Sequence, residues 1–218
     1  MDSKLISVVT PCYNEEGNVE EVYQQVKSVF DSLSGYNYEH IFIDNASSDS
    51  TVAILKEIAL KDISVKIIIN TRNFGHIRSP YYAMMQANGE AIINIVADLQ
   101  DPPEIISDFI RKWEEGYKLV IGVKTKSEES FLFFGIRKFY YYLINKLSDT
   151  ELVKNFTGFG LYDREVINAF RKINDTYPYL RGLVSELGYD LAKIEYEQPL
   201  RKRGLTKNNF YTLYDMAM

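Results

Sequence analysis

Residues 5–16 read LISVVTPCYNEE, a short apolar run rich in Val and Ile that passes directly into a polar loop. The run at residues 5–10 is typical of a buried β-strand. A helix is predicted next, because apolar residues recur on one face at the spacing of an α-helix; they are Val19, Val22, Tyr23, Val26, Phe30 and Leu33. A second apolar run, HIFID, ends at residue 44. This order predicts two parallel strands joined by a helix.

The same alternation continues outward from this unit through the first 125 residues. Further strands are predicted at residues 65–70, 91–97 and 118–123, and further helices at residues 51–60, 81–88 and from Asp101 to about Gly116. Asn18, followed three residues later by Glu21, predicts a capping box on the first helix. The series predicts an α/β fold with a mostly parallel, Rossmann-like sheet and helices on both faces.

The later part of the chain has a different pattern. Helices are predicted to begin at Asp163 and at Tyr179, and a strand is predicted at residues 193–198. Residues 131–147 (FLFFGIRKFYYYLINKL) combine aromatic rings with cations, which fits either a helix covering the core or a helix at a lipid interface. Residues 201–207 (RKRGLTK) hold four cations and no acid. We therefore expect amphipathic, membrane-interface helices near the C-terminus.

Composition restricts the class of protein. The 218 residues are 46% hydrophobic and 25% charged, which fits one globular domain and excludes a disordered or collagen-like chain. The net charge of −5 argues against a nucleic-acid partner. The single cysteine, Cys12, cannot form an intramolecular disulfide and fits a reducing compartment.

Polar loops follow the predicted strands at the edge where parallel sheets bind ligands. Residues 10–16 and 44–51 are rich in side chains that accept hydrogen bonds, although Asp49 and Ser50 fit helix caps equally well. After the fourth strand, Asp98 and Gln100 are two residues apart and would face the same way on an extended segment. Their oxygens could hold one hard cation such as Mg²⁺.

The sequence resembles the family 2 glycosyltransferases with the GT-A fold, of the polyprenyl-phosphate sugar transferase type that includes dolichyl-phosphate mannose synthase. The resemblance covers essentially the whole chain. The motifs that carry it are VVTPCYNEE, IFIDNASSDST, RNFGH, VADLQDPPE, LYDR and RKRGLTK.

The resemblance implies a set of site residues. The nucleotide would be bound by Pro11, Tyr13, Glu15, Ile43, Asp44, Asn45 and Ala97. Asp98 and Gln100 would hold Mg²⁺ or Mn²⁺ on the donor diphosphate, with Asp98 as the catalytic residue. The phosphate and acceptor contacts would come from Arg72, His76, Arg137, Arg201 and Lys207.

The chain departs from the family pattern at three positions. Val96 stands where relatives usually have an acid, so one oxygen is missing from the expected metal site. Gly158 stands where many relatives have a carboxylate. His76 stands where relatives often have Lys, and it would contact either a phosphate or a loop carbonyl.

The absence of an acid at position 158 favours an acceptor that needs no general base. A sugar hydroxyl needs a base, for which Glu186 is the unassigned candidate, whereas a lipid phosphate is already anionic at neutral pH. We therefore expect an inverting, metal-dependent transferase that moves a sugar from a UDP- or GDP-linked donor to a polyprenyl phosphate. It would work at the cytoplasmic face of the membrane, in cell-envelope or glycan biosynthesis.

Other interpretations stay open. The acceptor could be a sugar hydroxyl, or the chain could bind sugar nucleotides without catalysis; a nucleotidyltransferase is disfavoured because the first loop is acidic. We expect residues 1–125 to bind the nucleotide sugar, residues 126–200 to form the acceptor side, and residues 201–218 to be a juxtamembrane segment of a longer natural protein. A homo-oligomer is also left open.

Overall fold

A seven-stranded sheet lies at the centre of the computed structural model, which describes residues 3–125, 156–173, 175 and 177–199. The strand order is β3-β2-β1-β4-β6-β5-β7, with β6 antiparallel to both of its neighbours and every other pair parallel. The strands are β1 (Lys4–Cys12), β2 (Tyr36–Asp44), β3 (Val65–Ile69), β4 (Ala91–Asn94), β5 (Leu119–Lys124), β6 (Phe156–Asp163) and β7 (Leu191–Tyr196). The predicted mostly parallel α/β sheet is confirmed.

Helices cover both faces of the sheet, as predicted. They are α1 (Val19–Ser32), α2 (Thr51–Lys61), α3 (Gly75–Gln86), α4 (Ile106–Glu114), α5 (Arg164–Ile173) and α6 (Leu180–Glu186). On one face the apolar sides of α1, α2 and α4 form a core that includes Val22, Leu55 and Phe109. On the other face α3, α5 and α6 form a second core around Met84 and Phe170.

The antiparallel strand β6 is missing from the sequence-based prediction. Its segment contains Gly158 and Gly160, which favour turns over strands in a sequence reading. In the sheet, a Cβ atom on Gly160 would lie 2.6 Å from the carbonyl oxygen of Val120 on β5. The glycine is therefore needed for the close approach of two backbones.

The capping box predicted for α1 and the predicted start of α3 are both wrong, although α1 begins where the sequence predicts it. Asn18 is the N-cap of α1 but makes no side-chain cap hydrogen bond, so the capping box with Glu21 does not form. Instead its Nδ2 donates to Glu15 Oε2 at 2.7 Å. Helix α3 begins at Gly75 rather than at Tyr81 and contains Pro80, which is buried in the core. Burial of this helix face outweighs the weak helix propensity of an internal proline.

The segment before α4 also differs from the prediction. Asp101 was expected to cap the helix, but its Oδ1 accepts a hydrogen bond of 2.8 Å from the hydroxyl of Tyr196 on β7. A 3₁₀ turn at Pro103–Ile105 precedes α4. The helix start predicted at Asp163 is confirmed. Asp163 Oδ1 accepts the backbone N–H of Glu165 at 2.8 Å in the first turn of α5.

None of the helices in the described ranges is long and apolar enough to cross a membrane. The aromatic segment at residues 131–147, the basic run at residues 201–207 and the expected C-terminal amphipathic helices lie outside the described residues.

Candidate functional site

The carboxyl ends of β1, β2 and β4 meet at one edge of the sheet. Cys12, the last residue of β1, pairs in register with Asp44, the last residue of β2. On the other side of β1, Val9 pairs with Asn94, the last residue of β4. The polar loops that follow these strands are therefore neighbours, and we call them the edge loops: residues 13–17, 45–50 and 95–102.

The first two edge loops are held together by hydrogen bonds. The backbone N–H of Asn14 donates to Ser47 Oγ at 2.8 Å, and the backbone N–H of Ser48 donates to Asn14 Oδ1 at 2.7 Å. The backbone N–H of Glu15 donates to Thr51 Oγ1, also at 2.8 Å. These bonds fix the two loops as one unit.

Each edge loop contains one residue other than glycine with a positive φ angle. The residues are Asn14 (54°), Ala46 (64°) and Leu99 (58°), and no other such residue occurs in the described part of the chain. Conformations of this kind cost free energy and persist where the surrounding structure imposes them, often at ligand sites.

Asp44 supplies a buried acceptor at the centre of this edge. The residue is fully buried, and its Oδ2 accepts the backbone N–H of Ser47 at 3.0 Å. Its Oδ1 is buried and has no hydrogen-bond partner among the described residues. A buried acceptor without a partner is costly, so the geometry favours a ligand that donates a hydrogen bond here.

The other residues expected around the nucleotide lie on the same edge with different exposures. Pro11 is half-buried on β1 and pairs in register with Ile43, whose side chain is fully buried in the core. Only the backbone of Ile43 can therefore reach a ligand. Tyr13 is 38% exposed, and Glu15 is half-buried.

Asn45 has a positioning role within the protein. Its Nδ2 donates to Asn73 Oδ1 at 2.9 Å and to the carbonyl of Gly75 at 3.1 Å. Its Oδ1 accepts from Asn70 Nδ2 at 3.1 Å and from the backbone N–H of Phe74 at 2.9 Å. These four bonds use the full capacity of the amide, so Asn45 anchors the loop at residues 70–75 to the site.

The turn at Asp98 replaces the extended segment expected there. Strand β4 ends at Asn94 instead of at Ala97, and Asp98 Oδ1 accepts the backbone N–H of Gln100 at 3.2 Å. Ala97 and Leu99 are buried, whereas Asp98 and Gln100 are half-buried. Buried and half-buried residues thus alternate, as the sequence predicts for an extended segment, although a turn produces the alternation here.

Asp98 and Gln100 form a small set of oxygen donors. No group of three or more His, Cys, Asp or Glu side chains that could hold a metal ion occurs in the stretches that the structure describes. The donor set still fits Mg²⁺ or Mn²⁺ beside a diphosphate, because such ions are held by one or two carboxylates plus phosphate oxygens.

Asp101 is buried and hydrogen-bonded to Tyr196. The residue is 3% exposed, and burial raises the pKa of its carboxyl group to about 6, against the opposing effect of the hydrogen bond from Tyr196. Its role is to connect the third edge loop to β7.

Cys12 is a filler at this edge rather than a nucleophile. Burial, with a further contribution from the charge of Asp44, raises the pKa of the Cys12 thiol well above its usual value. A thiol of this kind is inert at neutral pH.

Arg72 and His76 lie on the loop that Asn45 anchors and on the first turn of α3. Both are exposed, and the Arg72 guanidinium lies over the ring of Phe74 at 4.4 Å. The N-terminus of α3 carries a partial positive charge that favours anions. The other residues expected to bind phosphate, Arg137, Arg201 and Lys207, lie outside the described residues.

The sequence analysis missed Asn94, which lies in a small pocket beside the edge loops. The pocket has a volume of about 90 Å³. Asn94 Nδ2 donates to the carbonyl of Gly158 at 3.1 Å, whereas Asn94 Oδ1 is buried without a partner among the described residues. The signal for this residue is an amide at the end of an otherwise apolar run, AIIN.

A larger groove, of about 680 Å³, lies beside α3 and α5. Its lining includes Ile69, Phe74, Tyr82 and Phe170 and is mostly apolar. Neither Asp44, Asp98 nor Asn94 lines it, so volume alone does not identify the polar site.

Residues 7–171 match the family model described as "Glycosyl transferase family 2". The chain belongs to this family. The resemblance noted in the sequence is thereby confirmed, and the matched region contains all three edge loops.

Curated relatives match nearly the whole chain. The glycosyltransferase YkcC of Bacillus subtilis is 38% identical over 213 residues, which is 97% of this chain and 66% of the relative. The bactoprenol glucosyl transferase of Shigella phage SfV is 32% identical over 214 residues, which is 98% of this chain and 69% of the relative. The chain thus spans about two thirds of the length of the curated relatives that it matches.

Solved structures of other glycosyl-transferring enzymes share the fold. Glucosyl-3-phosphoglycerate synthase from Mycobacterium tuberculosis, in complex with Mn²⁺, UDP-glucose and phosphoglyceric acid, superimposes with a TM-score of 0.61. The two sequences are 18% identical, and the match covers 98% of this chain and 76% of the synthase. The predicted GT-A fold is confirmed.

Proposed function

We propose that this chain is the catalytic part of an inverting glycosyltransferase that moves a sugar from a UDP- or GDP-linked donor to a polyprenyl phosphate. The observation that carries the proposal is the buried, unpartnered Oδ1 of Asp44 at the meeting point of the edge loops. Uracil and guanine each present a ring N–H, which is the donor that this oxygen lacks.

The donor diphosphate would lie toward Asp98 and Gln100. The Mn²⁺ bound with UDP-glucose in the mycobacterial synthase supports the same use of a divalent ion by this chain. Mg²⁺ or Mn²⁺ would there neutralise the charge that grows on the leaving diphosphate. Asp98 holds its carboxylate at the surface of the turn, while Asp101 keeps that turn in place through Tyr196.

A phosphate acceptor fits the absence of an acid at position 158. The acceptor oxygen of a lipid phosphate is already charged at neutral pH, so it needs cations to position it rather than a base to activate it. The relatives named bactoprenol glucosyl transferases support a polyprenyl acceptor. Arg137, Arg201 and Lys207 are the cations we assign to it, at the cytoplasmic face of the membrane.

A sugar hydroxyl as acceptor is the second candidate, and it would require Glu186 as the base. Glu186 is exposed and is the last residue of α6. The first residue of that helix, Leu180, lines the pocket beside the edge loops. Glu186 follows Leu180 by six positions, a rise of about 9 Å along the helix, so a base at Glu186 would have to act from the end of α6 opposite to Leu180.

The test is transfer of labelled sugar by the full-length protein in detergent. Short-chain polyprenyl phosphate, the matching polyprenol and free saccharides serve as acceptors, with UDP-glucose and GDP-mannose as donors and Mg²⁺ or Mn²⁺ present. We expect transfer to the phosphate alone. Arg201→Ala and Lys207→Ala should each reduce it about tenfold or more, since a charge-assisted contact contributes about 1.5–3 kcal/mol.

Glu186→Gln is the matched control and should retain wild-type transfer. The hydroxyl-acceptor candidate would replace this proposal if three results were found together. These are loss of transfer in Glu186→Gln, retained transfer in Arg201→Ala and Lys207→Ala, and a saccharide as the best acceptor. Binding of nucleotide sugar without turnover on any acceptor would favour the non-catalytic interpretation.

A further inference from the structure

The pocket beside the edge loops has a mostly apolar lining, with the buried amide of Asn94 in its floor. Asn94, Gly158 and Pro80 form the buried floor, and the exposed residues His76, Thr157 and Tyr179 surround the mouth. A volume of about 90 Å³ gives room for several water molecules or for a hydroxyl-bearing group of a ligand.

Asn94 is the residue that indicates what enters this pocket. It is 7% exposed, and its Oδ1 lacks a partner among the described residues. Its Nδ2 is held by the Gly158 carbonyl, which fixes the orientation of the amide. An amide oxygen is an acceptor only, so the missing partner must be a hydrogen-bond donor.

The absence of a side chain at position 158 keeps the pocket open. A Cβ atom on Gly158 would lie 3.6 Å from Asn94 Nδ2 and 3.6 Å from Leu180 Cδ2, both of which belong to the lining. Gly158 also has a φ of +99°, which other residues rarely adopt. Backbone conformation and pocket volume therefore depend on the same glycine.

We infer that this pocket receives one hydroxyl-bearing arm of the sugar that is transferred, with Asn94 Oδ1 accepting the hydroxyl hydrogen. This inference rests on the proposed function. Asn94 becomes a specificity-determining residue for the sugar, while Asp44 and Asp98 serve the nucleotide and the diphosphate.

The chemistry of the pocket favours the donor sugar over the acceptor phosphate. A fully ionised phosphate has no hydrogen to donate to Asn94 Oδ1, whereas every sugar hydroxyl has one. Asp98 follows Asn94 by only four residues, so their Cα atoms are at most about 14 Å apart. A sugar attached directly to a diphosphate near Asp98 is thus within reach of the pocket.

The experiment compares binding of nucleotides with and without the sugar by calorimetry in the presence of Mn²⁺. The probes are UDP, UDP-glucose, UDP-N-acetylglucosamine, GDP and GDP-mannose. Each sugar nucleotide is compared with its own free diphosphate, UDP or GDP, and the ratio of the two dissociation constants isolates the contribution of the sugar. Asn94→Leu should change this ratio by about tenfold against the preferred sugar nucleotide, since it deletes the hydrogen bond from the sugar hydroxyl. It also deletes the bond from Asn94 Nδ2 to the Gly158 carbonyl, for which a control is needed. Its affinity for the free diphosphate should stay within about twofold of wild type.

Two further variants make the test specific. Tyr162→Phe removes the other hydrogen bond to the Gly158 carbonyl, 2.9 Å long, without touching Asn94 Oδ1, and should leave the ratio unchanged. Gly158→Ala adds a methyl group to the pocket, at a cost in backbone strain, and should change the ratio in the same direction as Asn94→Leu. Urea unfolding checks that each variant is folded, so that either one tests the inference by itself.

The outcomes separate this inference from the proposed function. Wild-type protein that binds neither nucleotides nor sugar nucleotides would overturn both. Normal nucleotide binding with an unchanged ratio in the folded Asn94→Leu and Gly158→Ala variants would overturn the inference alone and leave water as the occupant of the pocket. An equal effect of Tyr162→Phe and Asn94→Leu would also overturn it, because the effect would then come from the Gly158 carbonyl.

Discussion

Asn14 and Ser48 join two loops that are 34 residues apart in the sequence: the backbone N–H of Ser48 donates to Asn14 Oδ1 at 2.7 Å. Asn14 makes this contact from a left-handed backbone conformation, with φ of 54°. Asparagine tolerates this conformation better than most residues do and also supplies the acceptor. The Asn14 side chain is therefore one of the contacts that hold the first two edge loops together.

Asn14→Gly should separate the two contributions of this residue. Glycine retains the backbone conformation but loses the hydrogen bond, so we expect a fall in UDP or GDP affinity with a stability loss of about 1 kcal/mol. Asn14→Ala adds backbone strain and should cost about 1–3 kcal/mol more. Calorimetry and urea unfolding measure the two effects. Wild-type nucleotide affinity in Asn14→Gly would show that the loops are held without this contact.

Val96→Asp should strengthen metal binding. Val96 is half-buried, two residues before Asp98, and an acid there would add an oxygen to the small donor set. We expect wild-type protein to bind Mn²⁺ only together with UDP or GDP, Val96→Asp to bind it more tightly, and Asp98→Ala to lose binding and transfer. Titration with Mn²⁺, followed by electron paramagnetic resonance, checks this. If the wild type bound Mn²⁺ tightly without nucleotide, and Asp98→Ala bound it equally well, the metal site would lie elsewhere.

His40 should make the fold less stable in acid. The imidazole is fully buried on β2, with Nε2 2.8 Å from Thr10 Oγ1, and burial lowers its pKa from 6.5 to about 3. Between pH 6.5 and 3 the unfolded chain binds a proton that the folded chain does not, so stability falls as the pH falls through this range. The contribution of His40 to this loss reaches about 2 kcal/mol at pH 5.

His40→Phe should reduce the loss of stability between pH 7 and pH 5, measured by urea unfolding at both values. Phenylalanine retains an aromatic ring beside Phe42, whose centroid lies 4.0 Å from that of His40. His76→Gln is the control, because His76 is the other histidine of the chain and is exposed. An unchanged loss in His40→Phe would mean that carboxylates alone govern acid unfolding.

The sequence predicts the first half of the sheet well because its strands are Val- and Ile-rich runs between polar loops. Strand β6 could not be predicted, because its two glycines suggest a turn when only the sequence is read. In the folded chain Gly160 allows the close approach of β5, and Gly158 adopts a positive φ angle. The start of α3 was missed for a similar reason: burial of the helix face that includes Pro80 outweighs its helix-breaking tendency.

The site could be predicted by position but not by role. The polar loops after the strands identify the edge, because parallel strands place their carboxyl ends together. Which polar atoms remain unpartnered depends on the folded contacts. Asn45 saturates its amide within the protein, whereas Asp44 and Asn94 each retain a buried oxygen without a partner among the described residues. No sequence pattern distinguishes these three residues.

Asp44→Asn tests the nucleotide site most directly, by calorimetric titration of UDP and GDP in the presence of Mn²⁺. The amide would keep one oxygen for the Ser47 N–H and turn a donor toward the ligand, where the carboxylate offers an acceptor. Asp190→Asn is the control, because it removes the same charge from an exposed residue at the amino end of β7. We expect Asp44→Asn to lose at least about tenfold in affinity at an unchanged melting temperature, and Asp190→Asn to retain affinity within about twofold. Wild-type affinity in Asp44→Asn would contradict a nucleotide site at this edge of the sheet.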